Sequence, residues 1–197
     1  MNMSQRPKSS FVQFKSLILV VLFAVATIAS NGISAQATDT VFSVQEKLMG
    51  HTSSTESLVI SPDGKWVATG GWDRKILLYS IDTLGMFKLV KTFTGHNGAV
   101  TCLTFDAAST LLASGSKDFS LRVVNVLDGS LVFQTMDHLD AITAVEFEAT
   151  GKFVMSASMD GTIRLYDIAN PTNNQKPRFY TYGKPVNDLI TAPNGKT

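Results

Sequence analysis

The run HTSSTESLVISPDGKWVATGGWDRKILLYSI, residues 51–81, decides the fold because it comes back twice. It returns as HNGAVTCLTFDAASTLLASGSKDFSLRVVNV over 96–126 and as HLDAITAVEFEATGKFVMSASMDGTIRLYDI over 138–168. His51, His96 and His138 lie 45 and 42 residues apart, and Asp73, Asp118 and Asp160 keep both intervals. A period in the low forties marks a solenoid or a propeller, in which each unit buries its apolar faces against its neighbours.

Each unit holds three short apolar or alternating runs, and a fourth follows it. In the third unit the three are Ile142–Phe147, Phe153–Ser158 and 162–168; the fourth runs are Phe87–Phe93, 131–136 and 178–182. They are rich in Val, Ile, Leu, Phe and Thr, and Gly, Asp and Pro break them too often for helices. The turns Pro62-Asp63-Gly64-Lys65 and Ala149-Thr150-Gly151-Lys152 carry a glycine that supplies positive φ to a tight hairpin. Ser109 stands in that slot in the second unit, which predicts a hairpin of a different type there. Four antiparallel strands, repeated, make propeller blades. Gly70, Gly71 and Gly115 fall in second strands, where close packing explains them.

In these features the chain resembles the WD40 repeat family over about residues 41–197. Gly50-His51 and Gly95-His96 match the family's Gly-His dipeptide, and Asp137-His138 stands in its third place. The Trp-Asp position is degenerate, reading Tyr79-Ser80, Val124-Asn125 and Tyr166-Asp167. The resemblance implies an all-β chain of WD40-type β-propeller blades, with repeats over about 41–81, 87–126 and 131–168 and a partial fourth over 178–197. It also implies that each His bonds a hydroxyl in the second strand and the Asp of the next turn. Carried over by position, the sets are His51, Thr69, Asp73; His96, Ser114, Asp118; and His138, Ser156, Asp160, with the family's Trp falling on Tyr79, Val124 and Tyr166. Such a ring takes its last outer strand from the N-terminal stretch 41–49. Here the fourth unit stops at Thr197, after a hairpin turn. Three blades do not close a ring, since propellers have about 4–8. The ring is therefore expected to be incomplete and the chain to be the N-terminal part of a longer protein or a truncated product.

Residues 1–35 stand outside the repeats. Arg6, Lys8 and Lys15 precede the 13-residue apolar run 17–29, and Ile33-Ser34-Ala35 offers small residues for cleavage. This is the pattern of a secretory signal peptide, with an uncleaved membrane anchor through 17–29 as the alternative; the run is short for a span of about 20 residues. The expected location is exported: periplasmic, cell-envelope or secreted. The net charge is +1, and the residues from Asp39 onward carry a small excess of acids, so no nucleic-acid partner is expected. Cys102 is the only cysteine. It excludes an internal disulfide and reads as a small buried apolar residue.

No phosphate loop, metal-ligand cluster or cofactor motif occurs, so no cofactor or metal is expected. A Ser–His–Asp hydrolase is rejected, because a catalytic triad does not recur in every blade. Zinc is rejected because each His sits in a different blade. The function expected is a non-catalytic protein–protein interaction scaffold. The alternative is a regulatory or sensor propeller module of a larger exported enzyme or envelope protein. Other proteins are the expected partners, with the membrane touched only through an uncleaved N-terminal segment. Trp72, Phe119 and Met159, at the turns between second and third strands, are the candidate partner-binding residues.

Overall fold

A computed structural model describes residues 48–172 and 178–191. The N-terminal segment read as a signal, the first residues of the repeat region and the last residues of the fourth unit lie outside them. The described residues form twelve strands: β1 (Thr55–Ile60), β2 (Trp66–Gly71), β3 (Ile76–Ile81), β4 (Phe87–Phe93), β5 (Val100–Phe105), β6 (Leu111–Ser116), β7 (Leu121–Asn125), β8 (Leu131–Thr135), β9 (Ile142–Phe147), β10 (Phe153–Ser158), β11 (Thr162–Asp167) and β12 (Arg178–Thr181). They pair in sequence order into three four-stranded antiparallel sheets, β1–β4, β5–β8 and β9–β12. The first strands β1, β5 and β9 contact one another in turn, so the sheets stack as consecutive blades.

Strand periodicity explains the stacking. Side chains alternate between faces, yet the β2 and β3 runs are nearly continuous in apolar residues, so both faces need cover. In the first blade Ala68, Ile76 and Leu78 face the second blade and meet Val100, Leu103, Leu112 and Val124. Val67, Leu77 and Tyr79 take the opposite face, beside Leu48 and Leu58. The second blade repeats the plan: Ala113, Leu121 and Val123 meet Ile142, Val145, Val154 and Tyr166 of the third. Burying a residue of Leu or Val size contributes about 1.5–3 kcal/mol, and these interfaces hold most of the large buried side chains.

The second-strand glycines let the blades approach. A Cβ on Gly70 would stand 2.6 Å from Val100 Cγ1, and one on Gly115 would collide with Ile142 of the third blade. Ser109 does not give a different hairpin. Its φ is 59°, beside 70° at Gly64 and 71° at Gly151. Its N–H donates to Asp106 O at 3.0 Å, as Gly64 N–H donates to Ser61 O and Gly151 N–H to Glu148 O. The left-handed conformation disfavours a residue with a Cβ. Here the Ser109 hydroxyl accepts the Asp63 N–H of the first blade at 3.1 Å, a bond that no glycine offers.

Each first strand carries a bulge at the same place. Pairing shifts between Thr55 and Ser57, between Val100 and Cys102, and opposite Ala157–Ser158, where Ile142 and Ala144 are the partners. The unpaired residues are Glu56, Thr101 and Thr143. Bulges re-aim side chains. Thr101 Oγ1 donates to Ile142 O at 2.5 Å, and Thr143 Oγ1 to Val186 O at 2.6 Å, each latching its blade to the segment that follows.

Candidate functional site

The three turns between second and third strands, together with the loops that precede each first strand, lie at one end of the blades. The turns share one geometry. Arg74 N–H donates to Gly71 O, Phe119 N–H to Ser116 O and Gly161 N–H to Ser158 O, at 3.1–3.2 Å. Arg74, Phe119 and Gly161 have φ of 65°, 69° and 81°. This is the three-residue hairpin whose last position is left-handed and suits glycine. Only the third blade has glycine there. The residue before each Asp is tied to the preceding loop: Trp72 N–H donates to Ser54 O, Lys117 N–H to Ala99 O and Met159 N–H to Ala141 O, at 2.8–2.9 Å.

Beneath the tips lie the three His sets. His51 Nδ1 is 2.9 Å from Asp73 Oδ1, and Nε2 is 2.9 Å from Thr69 Oγ1. His96 Nδ1 is 3.2 Å from Asp118 and Nε2 is 2.9 Å from Ser114 Oγ. His138 Nδ1 is 2.9 Å from Asp160 and Nε2 is 2.7 Å from Ser156 Oγ. An ionised carboxylate only accepts, so Nδ1 carries the proton and Nε2 accepts from the hydroxyl. Each Asp also accepts the backbone N–H of the residue after its His: Thr52 at 3.0 Å, Asn97 at 2.6 Å and Leu139 at 2.9 Å.

The electrostatics follow from these bonds. Burial raises the carboxyl of Asp73, but the Thr52 amide and the His51 ring more than offset it, and the acid lies below the usual range. Burial likewise opposes the shift at Asp118, where His96, Ser120 and the Asn97 amide hold the acid well below that range. At Asp160 burial is again outweighed, by Thr162, the Leu139 amide and His138. Burial lowers His138 despite the Asp160 beside it, which favours the neutral ring.

Hydroxyl, imidazole and carboxylate stand in the order of an acyl-transfer triad. The hydroxyl residues Thr69, Ser114 and Ser156 are only 2%, 2% and 0% exposed, and each hydroxyl bonds its imidazole inside a blade. A substrate carbonyl does not reach them. The sets tie turn to strand. Among the described residues no group of three or more His, Cys, Asp or Glu is placed to hold a metal. The Cys102 thiol is pushed up to about 12 by burial, which leaves it a poor nucleophile at neutral pH.

The Trp position of the family is not filled in kind. Tyr79 donates its hydroxyl to Met49 O at 3.0 Å. Val124 is buried and apolar. Tyr166 is fully buried, and its hydroxyl has no hydrogen-bond partner among the described residues.

Sequence reading missed a further member two residues after the Asp. Ser120 Oγ lies 2.9 Å from His96 Nδ1 and donates to Asp118 at 2.5 Å. Thr162 Oγ1 lies 3.2 Å from His138 Nδ1 and donates to Asp160 at 2.6 Å. The first blade has Lys75 there. The signal was present as Asp-x-Ser/Thr in two units of three. Glu56 was missed as well. Its carboxylate accepts the Trp72 indole N–H, where the equivalent Thr101 and Thr143 latch onward.

The candidate partner residues are all at the tips. Trp72 is 48% exposed, Phe119 39% and Met159 40%. Lys117 of the second blade lies over the Trp72 ring, its Nζ 3.9 Å from the centroid.

Three segments of the chain, 42–80, 87–125 and 129–167, match the WD domain, G-beta repeat family. The chain is 35% identical to ribosomal RNA-processing protein 9 of Saccharomyces cerevisiae over 39% of its own length and 13% of that protein. It is 39% identical to a U3 snoRNP-associated protein-like protein of Arabidopsis thaliana over 38% of its length and 15% of that protein. It is 33% identical to a COMPASS component of Saccharomyces cerevisiae over 45% of its length and 27% of that protein. The chain thus spans less than a third of each of these relatives.

These relatives correct the expected location. They are eukaryotic proteins named for ribosomal RNA processing, a small nucleolar ribonucleoprotein and COMPASS, so the exported, periplasmic, cell-envelope or secreted assignment is withdrawn. It rested on the composition of residues 1–35 alone, and a basic flank with a short apolar run is a weak signal. Among the described residues no helix is long and apolar enough to cross a membrane. The matched segments cover more than half of the chain and fall on its three blades, and the chain belongs to the WD domain, G-beta repeat (WD40) family.

Proposed function

We propose that this protein is a non-catalytic scaffold that binds other proteins through the end of the blades carrying the His loops and the β2–β3, β6–β7 and β10–β11 turns. One observation carries the reading. The polar groups that resemble catalytic machinery are buried in structural bonds, while the exposed side chains above them, Trp72, Phe119 and Met159, are large and apolar. Apolar and aromatic groups on a rigid polar-rimmed surface are what protein interfaces use. The relatives support the reading in kind, since one is named as a component of COMPASS and another as associated with a ribonucleoprotein.

A photo-crosslinking residue placed at Phe119 in cells tests this, with one at the exposed Ala108, on the opposite turns, as the control. Discrete protein adducts from position 119 and none from 108 are expected. Equal adducts from both positions, or none, would sink the reading.

A further inference from the structure

The outermost strand of each blade, β4, β8 or β12, has no neighbour on its far side among the described residues. Such an edge invites a further strand unless a bulge, a charge or a cover blunts it. Val90 is an extra residue in β4, where pairing steps from Lys91 to Leu89, and Val132 is one in β8, where it steps from Phe133 to Leu131. β4 also carries Lys88 and Lys91, and Lys91 Nζ donates to Leu127 O at 2.6 Å. β12 has no lysine and no extra residue. It pairs with β11 residue for residue, from Arg178 opposite Leu165 to Thr181 opposite Thr162. All four of its residues are exposed, Phe179 by 60% and Tyr180 by 62%, and Tyr182 just beyond is 64% exposed.

The direction of the free backbone groups follows from one bond. Tyr182 N–H donates to Gly161 O at 2.8 Å. By alternation Tyr180 and Arg178 also turn their N–H and C=O groups toward β11, and Phe179 and Thr181 turn theirs outward. An added antiparallel strand must set its own outward residues against these two. β12 itself meets that condition when two copies pair about Tyr180. Phe179 of each then lies opposite Thr181 of the other, and both outward N–H groups of each copy find a carbonyl. Centred on Phe179 instead, Thr181 would face Pro177, which has no N–H. In the register about Tyr180 the side chains match as well. Tyr180 meets Tyr180, and Arg178 meets Tyr182 at both ends, so an arginine lies beside a ring and no like charges stand opposite.

We propose that β12 is a self-pairing edge, which joins antiparallel to β12 of a second copy of this chain across a two-fold axis at Tyr180. The β9–β12 sheets of the two copies then run on as one. The ladder is small beside the about 1,200–2,000 Å² of a specific stable interface, so the pairing is weak and reversible. It uses the outer rim and not the His-loop end, and goes beyond the scaffold reading without resting on it.

The test uses the full chain under mild oxidation. Tyr180→Cys sets a thiol opposite its own copy in a non-hydrogen-bonded pair, where a Cα separation of about 4.5 Å lies in the range that a disulfide spans. Leu131→Cys, 48% exposed on the interrupted edge β8, is the control. The wild-type chain, with Cys102 alone, sets the background. Covalent dimer should form about tenfold or more faster from Tyr180→Cys than from Leu131→Cys, because pairing holds the two thiols together. Adding Thr181→Pro should bring the rate down to the control, since it removes an outward N–H and leaves the bonds to β11 in place. Adding Tyr182→Lys, an exposed change that guards against misfolding of the proline variant, sets a cation opposite Arg178 and should slow dimer formation too.

Equal rates from Tyr180→Cys and Leu131→Cys would overturn the proposal, and so would a rate that neither Thr181→Pro nor Tyr182→Lys lowers. If a photo-crosslinking residue at position 180 gives adducts with other proteins and none with a second copy, the edge takes a foreign strand and the proposal falls. Crosslinks from position 119 report on the scaffold reading alone, so each reading can fail while the other stands.

Discussion

In the second blade the His96 ring has two oxygen partners at Nδ1, Asp118 at 3.2 Å and Ser120 at 2.9 Å, and Ser120 itself donates to Asp118. In the first blade the same nitrogen meets Asp73 alone, through both oxygens at 2.9 and 3.0 Å, and Lys75, in the place of Ser120, has no hydroxyl to offer. Both blades form the same four-stranded sheet. The difference teaches that the His–Asp pair and the amides it satisfies are the invariant part of the plan, while the hydroxyl is a reserve. It leaves the first blade with the same fold and less redundancy.

Acid should break the comparison most severely, because it attacks all three blades together. The carboxyls of Asp73, Asp118 and Asp160 are depressed in the folded chain. Their stabilisation is complete above the unfolded value of about 3.9 and is lost as pH falls below it through the folded values. His138 acts earlier. Its folded pKa is lowered, so stability begins to fall as pH drops through the unfolded value of about 6.5, where the unfolded chain takes up a proton that the folded ring resists. Amide exchange followed during an acid titration should show Thr52 and Lys75 losing protection before Asn97 and Ser120, since the hydroxyl donor to Asp73, Thr52 Oγ1, stands at 3.5 Å where Ser120 Oγ stands 2.5 Å from Asp118. The reverse order would refute the idea of reserve.

Single substitutions come next in size. Asp73→Ala leaves His51 Nδ1 and the Thr52 and Lys75 amides without their acceptor, and a loss of about 3 kcal/mol is expected from stranding buried polar groups. Asp118→Ala strands the Asn97 and Ser120 amides but leaves His96 its Ser120 oxygen, so about 2 kcal/mol is expected. Urea unfolding of both variants measures the order, and equal losses would show that the hydroxyl holds nothing in reserve.

The smallest effect is the repair. Lys75→Ser writes the second blade's hydroxyl into the first. In the Asp73→Ala background it should recover about 1 kcal/mol, the net worth of one hydrogen bond, while adding less to the wild-type chain. A double-mutant cycle by urea unfolding gives the coupling.

Much of this molecule was legible in its sequence. The recurrence of His, a hydroxyl and Asp in register was written along the chain, and the resemblance to the WD40 family implied which of them bond one another; a repeat brings the same positions together in every blade. The signal failed where a single residue changed while the backbone did not. Ser109 suggested a new hairpin, yet it adopts the glycine conformation, since its side chain gains a partner in the neighbouring blade that no local rule sees. Glu56 had no place in the sequence reading. Only the bulge, which frees that residue from the ladder, turns it toward Trp72.

The sequence by itself determined the strand pattern, the three blades and the recurrence of His, hydroxyl and Asp in each, because periodicity and recurrence are written along the chain. The tertiary structure decided which blade faces take which cover, how Ser120 and Thr162 complete two sets and not the third, and that Lys117 of one blade caps Trp72 of another. The Asp-x-Ser/Thr pattern marks the two hydroxyls, but their reach to the histidine, like the contacts between blades, follows from how the strands pair and the sheets stack, which no local pattern encodes.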